Sequence, residues 1–226
     1  MPESITAIPL FPLDTVLFPG MVLPLHIFEE RYKQMIHECL EREQPFGILL
    51  AKRAWQADDT LNAFVIGTSA MITDSERLED GRFDIQTAGI ERFRVLQVLT
   101  TEPYAVGRVE WIPLQVDKSA ALAGQIKETG ALFARYLRLM DEVAGTSIEI
   151  ENVPRDPASL AYLVAIALQV PMEEKQELLG IDTLVELLAR EAHLLDREKQ
   201  LLQRMRAAQE SNAGYVRGAT GFVSLN

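Results

Sequence analysis

Cysteine occurs once, tryptophan twice and histidine three times in 226 residues, and each scarcity removes a class of function. The single thiol, Cys39, cannot close an internal disulfide and leaves no thiolate cluster for zinc. No apolar run reaches the roughly 18–20 residues that a membrane-spanning helix requires. The amino terminus, MPESITAIPLF, lacks a basic segment followed by an apolar one, so no secretory leader is expected. Cytoplasm is the expected compartment.

Positive charge is also scarce. Twenty-two Lys and Arg face 33 Asp and Glu, a formal charge of −11. Residues 1–115 carry 10 basic and 17 acidic side chains, and residues 116–226 carry 12 and 16. Neither half is a basic module suited to phosphates, which argues against nucleic acid and anionic membrane as partners.

Catalytic signatures are missing too. No Gly-Lys pair occurs, so there is no phosphate-cradling P-loop. His37-Glu38 opens like a zinc-protease helix, but Glu41 stands where the second histidine ligand is needed. No GxSxG nucleophile elbow is present. Gly214, Gly218 and Gly221 have the wrong spacing for a dinucleotide site. His26 reads as a satisfied core or turn histidine or part of a binding surface, and His193 as a solvated side chain. His37 and Cys39, two apart on a helix, point to different faces. The expectation is of no catalytic, metal or cofactor site.

What is present changes character near residue 115. Before it, short segments alternate in steps of two; after it, apolar residues recur at helical spacing. Two short strands (5–10 and 14–18) are interrupted by Pro9, Pro12, Pro19 and Pro24, which places them at bends or edges. Residues 28–42 form a helix whose Tyr32, Met35, Ile36, Cys39 and Leu40 make one apolar stripe. Strands follow at 46–51, 63–73, 82–87, 91–99 and 104–112, with Asp80-Gly81 in a hairpin turn. Such a series suggests a small antiparallel barrel.

The second half reads as helices. The first covers 118–143, with Leu122, Ile126, Phe133, Leu137 and Met140 inward. The next starts at Asp156-Pro157 and runs to about Gln169. A short one opens at Pro171 and ends on Gly180 as a left-handed cap. The longest is capped by Asp182 and runs to about Ala208. Its pairs Leu187-Leu188, Leu194-Leu195 and Leu201-Leu202 form a heptad seam, which either packs on this chain's other helices or joins a second copy in a homodimer. The chain is thus expected to be α+β: a β domain at 1–115, a helical bundle at 116–210, and a flexible tail at 211–226.

The stretch IPLFPLDTVLFPGMVLPLHIFEERY, residues 8–32, resembles the opening of the Lon protease amino-terminal, substrate-binding domain family. The matching pieces are Pro9-Leu10-Phe11-Pro12-Leu13, Val16-Leu17-Phe18-Pro19-Gly20-Met21 and Leu23-Pro24-Leu25. Ile66-Gly67-Thr68, Gly81-Arg82-Phe83, Gly89-Ile90-Glu91-Arg92-Phe93-Arg94-Val95, Tyr104, Val106–Val109 and Leu160–Pro171 extend the resemblance over about residues 5–200. It implies a PUA-like pseudo-barrel followed by a helical bundle. It also implies recognition of unfolded or exposed protein segments without ATP or metal, in an adaptor or regulator of proteolysis, with a protease or chaperone as candidate partner. The sequence stops before an ATPase or Ser–Lys protease module could begin, so a free-standing, non-catalytic form is expected. The resemblance suggests the start of the first helix as the binding surface: Phe28, Glu29, Glu30, Arg31 and Tyr32. Phe28 and Tyr32 could equally anchor that helix to the barrel. Trp55, in the polar stretch AKRAWQADD, is a second candidate anchor for a partner, or equally pins its loop onto the core. The rival readings are an RNA-binding PUA-like module, an enzyme using the cleft between barrel and bundle, and a structural dimer built on the heptads.

Overall fold

The computed structural model describes residues 5–52, 61–116, 120–144, 154 and 156–219. Six strands are β1 (Ile5–Leu13), β2 (Val22–Ile27), β3 (Phe46–Ala51), β4 (Ala63–Arg77), β5 (Phe83–Thr100) and β6 (Ala105–Trp111). Five helices are α1 (Glu30–Glu41), α2 (Ala120–Ala144), α3 (Pro157–Ala167), α4 (Met172–Gly180) and α5 (Leu184–Ala219). The fold is α+β.

The sheet order is β2-β5-β4-β3-β1-β6, and a further β5–β6 pairing closes it into a barrel. All pairings are antiparallel except β1 with β3. Strand β1 explains how prolines survive inside such a sheet. Its first part, Ile5–Leu10, pairs with β6, and its last part, Leu10–Leu13, pairs with β3. Pro9 and Pro12 therefore each have a neighbour strand on one side, and Pro24 sits in β2, which pairs with β5 alone. A residue with no N–H is tolerated where one flank needs no ladder bond.

Two expected elements differ. Residues 14–18 are not a strand; Val16, Leu17 and Phe18 instead fill the core from an irregular segment. The segments 82–87 and 91–99 are one 18-residue strand, whose register with β4 shifts between Gly89 and Arg92. At Gly89 a Cβ would stand 2.2 Å from the Phe18 carbonyl oxygen. The close approach is used: Gly20 N–H donates to Gly89 O at 2.8 Å, and Gly89 N–H donates to Met21 O at 2.9 Å. Gly20 itself turns at φ +79°, a conformation that a side chain disfavours. Asp80-Gly81 makes the expected turn, with Gly81 at φ +82° and the Asp80 carboxylate accepting from Arg82 N–H.

One core lies between barrel and α1, where Tyr32, Met35, Ile36 and Cys39 meet Phe11, Ile27, Phe46 and Ile85. A larger one joins the helices to Val16, Phe18 and Leu50. The two leading heptad pairs, Leu187-Leu188 and Leu194-Leu195, are consumed within it, while Leu201 is half exposed. Tyr136 of α2 is fully buried there, and its hydroxyl accepts from Gln169 N–H.

Helix ends follow local chemistry, with two departures from expectation. Asp156 caps α3, its carboxylate accepting from Ser159 N–H at 2.9 Å. Gly180 has no positive φ and is no left-handed cap; α4 closes into extended Ile181. At α5, Thr183 stands in place of Asp182: its hydroxyl accepts from Glu186 N–H and donates to the Glu186 carboxylate. Thr183–Glu186 is the T-x-x-E pattern of a capping box. Helix α5 continues to Ala219.

Candidate functional site

A groove of about 530 Å³ runs along the polar face of α1. Glu30, Lys33, Gln34 and His37 line it from the helix at i, i+3, i+4 and i+7, the stripe opposite the buried one. Arg31 joins them, Arg77, Gly81 and Phe83 come from the β4–β5 hairpin, and Pro103 comes from the β5–β6 turn. A hydrogen bond beside the groove ties the helix to the barrel. Tyr104 O–H donates to Glu38 at 2.8 Å, fixing α1 to the start of β6. Burial and the Glu38 carboxylate push the Tyr104 hydroxyl up to about 12, so it remains a donor, while this bond foremost lowers the Glu38 pKa.

The five residues expected at the helix start diverge. Phe28 precedes α1 and is 63% exposed, its ring stacked on His26 at 6.3 Å between centroids. Tyr32 turns inward, 8% exposed, against Phe11 at 4.1 Å. Arg31 covers the Tyr32 ring at 4.5 Å and bonds the Glu29 carboxylate. Glu30 pairs with Lys33. Glu30 and Arg31 face the groove, Tyr32 anchors the helix, and Phe28 is left as an exposed apolar group beside it. Trp55 lies outside the described residues. Lys33, Gln34, His37, Arg77 and Pro103 were not anticipated; the polar helical stripe was legible, but Arg77 and Pro103 come together with it only through strand pairing.

His26 is an exposed surface residue. Its Nδ1 lies 2.5 Å from Asp84 and its Nε2 3.1 Å from Arg82, which also holds Asp80. Cys39 is buried, and burial raises its thiol to about 11. Among the described residues no group of three or more His, Cys, Asp or Glu is placed to hold a metal ion, and no helix is long and apolar enough to cross a membrane.

A second concavity, of about 610 Å³, lies between sheet and helices. Ile90, Arg92, Trp111, Leu114, Ala158 and Tyr162 are among its walls. Pro19 also borders it, so the Phe18-Pro19-Gly20 turn and the Gly89–Arg92 strand meet at this place.

The profile of the family described as the ATP-dependent protease La (LON) substrate-binding domain matches residues 7–197. The chain belongs to the Lon substrate-binding domain family. It is 29% identical over 211 residues to a Lon protease of Anaeromyxobacter dehalogenans, covering 89% of this chain and 24% of that protein. It is 27% identical over 197 residues to a Lon protease of Dictyoglomus thermophilum, with 87% and 25% covered. The chain thus spans about a quarter of the length of these relatives. A Lon N-terminal domain protein from Xanthomonas campestris superposes with TM-score 0.61 at 26% identity, over 82% of this chain and 96% of that one. The N-terminal domain of the Mycobacterium avium complex Lon protease shares the fold, with TM-score 0.60 at 20% identity, over 84% and 98%. The family match falls on the substrate-binding part of Lon, and it includes both motifs that meet at Gly89.

Proposed function

We propose that this Lon-type domain binds exposed or unfolded protein segments at the α1 groove, serving substrate recognition as an adaptor or regulator of proteolysis. The observation that carries the reading is the pairing of an open groove with an exposed aromatic. Arg31, Lys33 and Arg77 outnumber Glu30 along the groove, and Phe28 stands 63% exposed at the start of the same helix. A segment with an apolar side chain and a nearby carboxylate satisfies both: the ring gives buried area, and the cations give orientation and encounter rate. Family membership supports the class of ligand, and the geometry supports the place.

The test is binding of unstructured peptides by the wild-type chain, Phe28→Ala and Arg31→Ala/Arg77→Ala. Tyr32 is left intact, because truncating a core aromatic costs about 3 kcal/mol or more and confounds binding with folding. Selective binding that falls tenfold or more in variants with wild-type circular dichroism supports the groove. Binding that both variants retain in full refutes it.

A further inference from the structure

Arg92 is 2% exposed yet has no carboxylate hydrogen-bond partner among the described residues. Its Nη1 donates to the carbonyls of Leu179 at 2.7 Å and Ile181 at 2.5 Å, which closes the C-terminus of α4 where Gly180 does not. Nε and Nη2 have no hydrogen-bond partner among the described residues. A guanidinium removed from water with two donors unmet is costly, and the cost falls most when an anion accepts from them. Burial lowers its pKa, while the fields of Tyr162 and Asp182 oppose that.

Arg92 lines the 610 Å³ cavity, a size common for small-ligand sites. The rest of its wall is mainly apolar: Pro19, Ile90, Trp111, Ile112, Pro113 and Leu114. Its other polar members are Tyr162 and Glu91, whose side chain is exposed. One buried cation in an apolar cup fits a ligand with one anionic end and an apolar body.

We infer that this cavity is a second binding site, distinct from the α1 groove, for an apolar carboxylate whose carboxyl group accepts from Arg92. The carboxylate would come from a small organic acid or from the free carboxyl end of a peptide with an apolar last residue. The site does not depend on the groove reading, since the two share no lining residue.

The test titrates the full chain with 3-phenylpropionate, 3-phenylpropionamide, and a short peptide ending in Leu with a free or amidated carboxyl group. Binding is read by calorimetry and by the ¹⁵N–¹H signal of Arg92 Nε. The expected result is that at least one free acid binds, shifts that signal, and loses tenfold or more on conversion to its amide. Phenylpropionate alone would identify a small-acid site, and the free peptide alone a chain-end site. Arg92→Lys should weaken the acid, and Ala158→Phe, which fills the cavity without touching the α4 cap, should abolish binding in a folded protein. Absence of binding by any acid at about 10 mM, weaker than roughly 3 kcal/mol of affinity, would overturn the inference. So would equal binding of acid and amide, or binding that leaves Arg92 Nε and the Ala158→Phe variant unaffected.

Discussion

Glu191 offers the sharpest test of the packing. It lies on α5 between the buried pairs Leu187-Leu188 and Leu194-Leu195, is 0% exposed, and has neither carboxylate oxygen bonded among the described residues. Burial raises its pKa well above the ordinary 4.5. The titratable neighbour whose field it shares is Tyr162 of α3, itself shifted upward by burial. Below about pH 4.5 the carboxyl is protonated in folded and unfolded chains alike, and its contribution to stability is fully present. As pH rises, the unfolded chain ionises while the folded chain does not, so stability falls until pH passes the folded-state pKa. One proton withheld costs about 1.4 kcal/mol per pH unit. Glu191→Gln removes that slope and little volume. Its stability advantage over wild type should therefore grow with pH above about pH 5, by up to about 1.4 kcal/mol per pH unit, and level off once pH passes the folded-state pKa. For a chain of this size each kcal/mol is about 2–4 °C in Tm. Urea unfolding of both proteins at half-unit pH steps measures the difference directly, because all other groups titrate in common. A difference that stays constant with pH would refute burial of an unpaired carboxyl at this position.

Other expectations follow from single contacts. Asp156→Ala removes the acceptor for Ser159 N–H and Oγ–H, and should cost about 1 kcal/mol in denaturant unfolding. Gly89→Ala places a methyl 2.2 Å from the Phe18 carbonyl oxygen, which the backbone must yield to; a loss of about 2 kcal/mol or more is expected, against a gain of about 0.5–1 kcal/mol for Gly124→Ala at an exposed position of α2, where nothing lies within 4 Å. Cys39, buried with its thiol at about 11, should resist a thiol reagent at about pH 8 in the native protein and react at once in denaturant. Fast native labelling would contradict its packing on α1.

Periodicity carried much of the architecture. The stripe on α1, the alternation of buried Phe83, Ile85 and Thr87 with exposed Asp84 and Gln86 on β5, and the Asp156 cap are all consequences of neighbours a few residues apart, which sequence spacing expresses directly. The apolar face of each helix could be read for the same reason. The resemblance in residues 8–32 led to the family, because those prolines and glycines serve one particular path of the chain.

Long-range contacts decided the rest. Residues 82–87 and 91–99 look like two strands, yet they form a single one whose Gly89 backbone is bonded by Gly20 and Met21. Gly180 looks like a helix cap, yet the carbonyls of Leu179 and Ile181 are satisfied by Arg92, about ninety positions earlier in the chain. Glu191 reads as one charge among many on α5, and only the packing of α2 and α3 against that face removes it from water. The candidate site divided in the same way. Phe28 and Tyr32 are one turn apart in sequence, but the barrel buries one and leaves the other outside, and Arg77 reaches the groove through the register of β4 with β5. Local spacing fixes which face of an element is apolar. Which remote group meets it depends on closure of the whole barrel, and no window of a few residues contains that.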